Sequence, residues 1–166
     1  MRRDTLLPFV GLAIRLGAAG IWLAAGIAKI ADLAHFHDQV RQYDILPHVF
    51  EAPFAYTLPF AEVAVGLYLA VGLLVRPAAL LACALMVVFI AAQAQAWARG
   101  LVLDCGCFGS LARERVGLWT ILRDVGLGLP SLVAAVRPPR LLSLDRRLLG
   151  RPDRFVWGSR SAVEHA

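Results

Sequence analysis

From Pro8 onward the chain alternates between long apolar runs and short polar breaks. Four runs, roughly 8–31, 54–75, 77–98 and 116–136, reach the length of about 20 residues, at about 1.5 Å of rise each, that a helix needs to cross a hydrocarbon core. The breaks are the stretch 32–53, the turn "VRPAA", the segment 99–115 and everything after Val136. This pattern predicts an all-α protein: an integral membrane four-helix bundle formed by residues 1–136, with a tail at 137–166. The first run begins like a secretory signal, but it is longer than a signal core, carries Arg15 and is followed by three more spans, so it is read as a retained helix. Arg2 and Arg3 lack the rest of a twin-arginine address.

Composition supports lipid as the solvent. Of 166 residues, 59% are hydrophobic and 17% charged, too apolar a balance for a chain that must cover its surface with polar groups. The net charge of +5 comes from arginines that flank the apolar runs and gather in the tail. That arrangement fits an anionic membrane surface, with membrane lipids as partners, and nucleic acid is not expected. Arg2, Arg3, Arg76 and the tail arginines Arg137, Arg140, Arg146, Arg147, Arg151, Arg154 and Arg160 place both termini on the cytoplasmic side of an inner membrane by the positive-inside rule. The segments 32–53 and 99–115 then face outward, although Arg99, Arg113 and Arg115 make the second one basic. In the tail, Leu141, Leu144 and Leu148 share one helical face, so it is either a basic amphipathic segment on the inner leaflet or a disordered basic tail.

Within the spans, Pro77 suits a first helical turn and Pro59 should kink its helix or open a turn. Gly11, Gly17, Gly20 and Gly26, with Ala78, Ala82 and Ala91, would allow close helix approach. Trp97, Trp119 and Tyr56 fall where aromatic rings anchor helices at an interface.

The stretch "LDCGCFGS", residues 103–110, carries two of the three cysteines. A disulfide between Cys105 and Cys107 would close a very small ring, with Gly106 supplying the unusual dihedrals. So short a ring constrains little of the unfolded chain, and a strained bond is readily reduced. Exchange chemistry or metal binding is therefore expected of it. Arg99, Arg113 and Arg115 would favour the thiolate and Asp104 would oppose it. Cys83, deep in the third run, lies more than about 25 Å away by helical rise and reads as a packing residue.

Ionisable groups inside a span cost about 2.5–3.5 kcal/mol near the bilayer centre and point to function or internal pairing. Glu62 falls about 12 Å below the outer boundary, Arg123 about 10 Å and Asp124 about 12 Å. Lys29 is shallower. Glu62 could pair with Lys29 or Arg123 to hold the helices in register. Alternatively the charges serve proton traffic for the thiols, or anchor a partner or a quinone headgroup. No cofactor is predicted, and no residue pattern supports a quinone. Gln93 and Gln95 could line the same pocket, and Arg15 would snorkel to the inner boundary. His35, His37 and His48 share a side with the cysteines, which makes zinc or copper an alternative, although the spacings lack a structural zinc pattern and no metal ligand set is assigned.

"AAGIAKIAD", "LPFAE", "DCGCFG" and "TILRD", in that order over residues 8–136, resemble the MauE branch of the DoxX-like membrane proteins. The resemblance implies a four-helix membrane protein tied to redox maturation. The family's namesake is associated with maturing the disulfide-rich small subunit of methylamine dehydrogenase alongside a thioredoxin-like partner. By the same resemblance, Cys105 and Cys107 match the thiol pair, Lys29 and Glu62 the intramembrane charges, and Arg123 the last-helix arginine. The chain also resembles quinone-linked disulfide-generating membrane enzymes, but it lacks their second cysteine pair. The function expected is a membrane thiol–disulfide redox protein that exchanges with a thioredoxin-like protein or an exported client. A non-catalytic assembly or export factor and a metal-binding membrane protein are the alternatives.

Overall fold

A computed structural model describes residues 3–106 and 114–136. Cys107, Arg113 and the tail after Val136, on which several sequence expectations fall, lie outside the described residues. The described chain forms five helices: α1 (Arg3–Ala31), α2 (Leu33–Tyr43), α3 (His48–Val71), α4 (Val75–Ala98) and α5 (Leu118–Val136). Four of these, Phe9–Ala31, His48–Val71, Val75–Ala98 and Leu118–Val136, are long and apolar enough to cross a membrane. Together they make a multi-pass membrane protein of the all-α class.

The stretch 32–53 is not the loop that its polarity implied. Asp32 caps α2 by accepting the His35 N–H at 3.0 Å, which satisfies one of the donors a helix start leaves open. The helix buries Phe36 and Gln39 and turns polar residues outward. It ends at Asp44, which adopts a left-handed conformation (φ 48°) and donates its N–H to the Arg41 carbonyl. Pro47 then precedes α3, which begins six residues earlier than the apolar run and continues through Pro53 and Pro59. A similar left-handed stop at Gly72 (φ 74°) ends α3, so only a short turn separates it from α4.

α1 packs chiefly on α3 and α4 on α5, with α1 also against α5. The α1–α3 seam is tight at two glycines. A Cβ at Gly26 would stand 2.8 Å from the Pro59 carbonyl oxygen, and one at Gly66 would stand 3.0 Å from the Leu23 backbone nitrogen. Such contacts are possible only without side chains, and they let dispersion and polar pairing replace the hydrophobic drive that lipid removes. Gly17 and Gly20 instead face open space, and Ala91 is exposed, so those small residues do not serve helix approach here.

Burial runs opposite to that of a water-soluble protein. Large apolar side chains such as Phe60, Val87 and Leu129 are outside, while Arg15, Lys29, Glu62, Gln93, Asp124 and Ser131 are buried. Arg15 is enclosed in the bundle at 1% exposure rather than extended along its surface. Nearby, Trp22 donates its indole N–H to the Ser131 hydroxyl at 3.1 Å, tying α1 to α5.

Candidate functional site

After α4, Gly100 takes a positive φ of 69° and the chain reverses. Residues 103–105 then pair with 114–116. Cys105 donates its N–H to the Glu114 carbonyl (2.7 Å) and Val116 to that of Leu103 (2.8 Å), flanking an antiparallel bridge between Asp104 and Arg115. Cys105 thus sits at the neck of a hairpin rather than in a loose loop. It is 7% exposed and packs with Ala96, Val116, Tyr43, Leu101 and Leu103. The end of α2 clamps the neck from outside. The Tyr43 hydroxyl donates to the Cys105 carbonyl at 3.1 Å, and Arg99 holds the Tyr43 carbonyl (3.0 Å) and the Asp44 carboxylate (3.6 Å). Gly106 has φ 70°, where an L side chain is strained, and a Cβ there would stand 2.8 Å from Gln39 Oε1. The positive φ calls for glycine between the cysteines, whereas the flexible end of Gln39 could move aside for a side chain.

The Cys105 sulfur rests on the first turns of α5. Arg123 Nη2 donates to it at 3.6 Å, and its Sγ approaches Asp124 Oδ2 at 3.8 Å. Arg123 also holds Asp124 Oδ1 through Nε (3.0 Å) and Nη2 (2.9 Å), and forms an ion pair with Glu114. The other Asp124 oxygen accepts from Gln93 Nε2 on α4 at 2.6 Å. The guanidinium favours a thiolate and the carboxylate favours a thiol, so the sulfur lies between two opposed electrostatic influences.

A second ionic pair lies in the same bundle. Lys29 of α1 and Glu62 of α3 form a salt bridge with both side chains essentially inaccessible, at 1% and 0% exposure. The ammonium stands over the rings of Phe89 (4.5 Å) and Phe36 (5.3 Å), and such contacts offset part of the cost of burying a cation. Glu62 Oε1 receives Lys29, whereas Oε2 is buried without a hydrogen-bond partner. A cavity of about 30 Å³ lies between the two ionic groups, with Lys29, Glu62 and Asp124 set among apolar walls that include Trp22, Met86 and Phe89.

The structure thus brings Cys105 and Arg123 together and Lys29 and Glu62 together, with Asp124 belonging to both neighbourhoods. Glu62 pairs with Lys29, not Arg123. The arginine at the sulfur is Arg123 of α5, rather than the nearer-in-sequence Arg99, which is spent on α2, or Arg115, which is exposed. Gln93 joins the site while Gln95 is exposed. Sequence reasoning gave Asp124 too small a part and overlooked Glu114, Gln39 and Tyr43. Asp124 could have been singled out as an acid adjacent to Arg123 in a span, but the other three depend on the hairpin and on α2. Cys83 is half-buried against the α1–α3–α4 core, in keeping with a packing role. His35 contacts Gln39 (3.2 Å), His37 stacks on Tyr56 and His48 meets Glu51 (2.8 Å). Among the described residues, no three His, Cys, Asp or Glu side chains are grouped to hold a metal ion.

A family model described as methylamine utilisation protein MauE matches residues 7–137, most of the 166-residue chain. No curated protein and no solved structure gives a significant match.

Proposed function

The chain belongs to the MauE family, and we propose that it works as a membrane thiol–disulfide exchange protein assisting the maturation of exported proteins that carry disulfides. Cys105 and Cys107 are the exchanging pair. Both termini lie in the cytoplasm and the hairpin faces the extracytoplasmic side of the inner membrane, where disulfides persist. The partner is a thioredoxin-like protein or an exported client with cysteines, as in methylamine dehydrogenase maturation by the family's namesake.

The observation that carries this reading is the placement of Cys105 Sγ between Arg123 Nη2 and Asp124 Oδ2. A sulfur that leaves a disulfide departs with the bonding pair, and a guanidinium in contact with it stabilises that anion. Because Cys105 is buried at the hairpin neck, a partner's thiolate attacks Cys107, and Cys105 is the inner, leaving sulfur. Gly106 meets the backbone demands of closing the ring.

A single-cysteine test follows. In a Cys83→Ser background, Cys105→Ser should leave Cys107 able to trap a partner as a mixed disulfide, seen as a heavier band that reductant removes, and Cys105→Ser with Cys107→Ser should give none. If Cys107 traps no partner in cells that need the protein, the exchange reading is wrong. The buried Lys29–Glu62 pair and the glycine seam beside it favour one second reading, a non-catalytic assembly factor whose charges lock the bundle. That factor would keep its activity in the double serine variant.

A further inference from the structure

Glu114 meets the site through both its backbone and its side chain. Its carbonyl accepts the Cys105 N–H at 2.7 Å across the neck of the hairpin, and its carboxylate pairs with Arg123 through Nη1. Arg123 Nη2 in turn donates to the Cys105 sulfur at 3.6 Å. Cys105, Glu114 and Arg123 therefore close a ring of contacts at the place where the sulfur rests on α5.

Asp124 by itself does not aim the donor at the sulfur. Successive residues on a helix diverge by about 100° and do not face each other, so Arg123 bends back to reach Asp124. There Nε (3.0 Å) and Nη2 (2.9 Å) converge on the single oxygen Oδ1. A flat guanidinium can still pivot about one oxygen, unlike one held fork to fork by two. Glu114 grips the same guanidinium at Nη1, away from that pivot. Because the group is rigid and planar, holding it at both places sets where Nη2 points, which is at Sγ. The Glu114 side chain is 46% exposed, and ion pairs this open stabilise a fold little, so the contact matters more for direction than for stability.

We infer that Glu114 is a positioning residue for the exchange reaction, holding the Arg123 guanidinium aimed at the Cys105 sulfur. The inference rests on the exchange reading. When a partner's thiolate bonds to Cys107, the bond between Cys107 and Cys105 breaks and Cys105 leaves with the bonding pair, with no proton gained or lost in the step. The anion then forms against a donor already in place. The charge of Glu114 has the opposite sign of effect, since a nearby carboxylate disfavours a thiolate. Aim and charge can therefore be told apart by experiment.

The test is the pH profile of Cys105 alkylation by iodoacetamide in the full chain carrying Cys83→Ser and Cys107→Ser, reconstituted in lipid vesicles, where Cys105 is the remaining thiol. The charged and titratable groups on the elements around it are Arg123 and Asp124 of α5, Asp104, Glu114 and Arg115 of the hairpin, and Tyr43 of α2, while Gln93 of α4 adds a neutral donor to Asp124. Glu114→Ala should raise the midpoint of the profile by about one pH unit, or roughly tenfold slower alkylation near neutral pH, the scale of one hydrogen bond to a charged group. Glu114→Gln, which keeps an oxygen for Nη1, should raise it less. The plateau rate at high pH, where the thiol is fully ionised and the rate reads access to the sulfur, should stay within about twofold. In an Arg123→Gln background, Glu114→Ala should raise the midpoint no further. A midpoint that stays or falls in variants that circular dichroism shows to be folded would overturn the inference, because only the charge of Glu114 could then reach the sulfur. A change confined to the plateau would overturn it by reducing the side chain to a clasp on the hairpin, and so would a rise that persists without Arg123. None of these results involves a partner, so failure of Cys107 to trap one would remove the exchange reading and leave the measured aim of Arg123 standing.

Discussion

At the scale of single residues, the chemistry turns on Arg123. Its guanidinium touches the Cys105 sulfur while holding Asp124 and Glu114, and a hydrogen bond to a charged partner contributes about 1.5–3 kcal/mol. Arg123→Gln should therefore lower the rate at which a small neutral alkylating reagent modifies Cys105 near neutral pH by about tenfold or more, with Arg123→Lys recovering part of the loss. A faster rate in Arg123→Gln would contradict this and show that the arginine only closes the hairpin over a thiol that is otherwise reactive. Cys105, Arg123, Lys29 and Glu62 were all legible in the sequence, because a cysteine pair around glycine and charges inside apolar runs stand out against their surroundings. Which arginine meets the sulfur was not. Arg99, Arg113 and Arg115 are nearer along the chain, but the 103–105 and 114–116 pairing turns the sulfur down onto α5, and no local pattern encodes that direction.

At the scale of elements, the apolar spans were legible because length and hydrophobicity alone define them. α2 was hidden by its polar composition, although Asp32 followed by Phe36, Val40 and Tyr43 at helical spacing is the signature of a short capped amphipathic helix. Its consequence for the site is direct, since Tyr43 and the Arg99 contacts hold the hairpin neck. The α1–α3 seam sets the other half. Gly26 lies nearly one turn before Lys29 and Gly66 about one turn after Glu62, so the close approach of the two backbones brings the ionic pair together. Breaking a buried pair by removing one partner costs about 3–5 kcal/mol, whereas replacing both by apolar groups is often neutral. Lys29→Met or Glu62→Leu alone should each lower the thermal midpoint in detergent clearly, and the double variant should regain most of that stability. If the pair also serves exchange, the stable double variant should still mature its client poorly. Additive losses of stability would contradict the pairing, and full activity in the double variant would reduce the pair to a structural lock.

At the scale of the whole molecule, the spans enclose Arg15, Lys29, Glu62 and Asp124 and turn many large apolar side chains outward, as lipid requires. Among the described residues, this arrangement places Arg123, Asp124 and Gln93 beneath the hairpin neck and the Lys29–Glu62 pair on the same cavity as Asp124, while Arg15 and Ser131 are also buried. Four helices of membrane-spanning length were readable from composition. Their arrangement was not, because lipid-facing and core-facing positions are both apolar and differ mainly in side-chain size. The positive-inside argument for the hairpin's side remains a statement about arginines. It meets the exchange proposal in a single measurement: the state of Cys105 and Cys107 in intact cells, trapped with acid in a Cys83→Ser background and counted with mass-tagged maleimide before and after reduction. The account predicts that the tags add only after reduction, and that an impermeant reagent applied outside the cell, after a brief reduction, blocks the pair. Thiols that are free from the start and never reached from outside would contradict both the orientation and the exchange function.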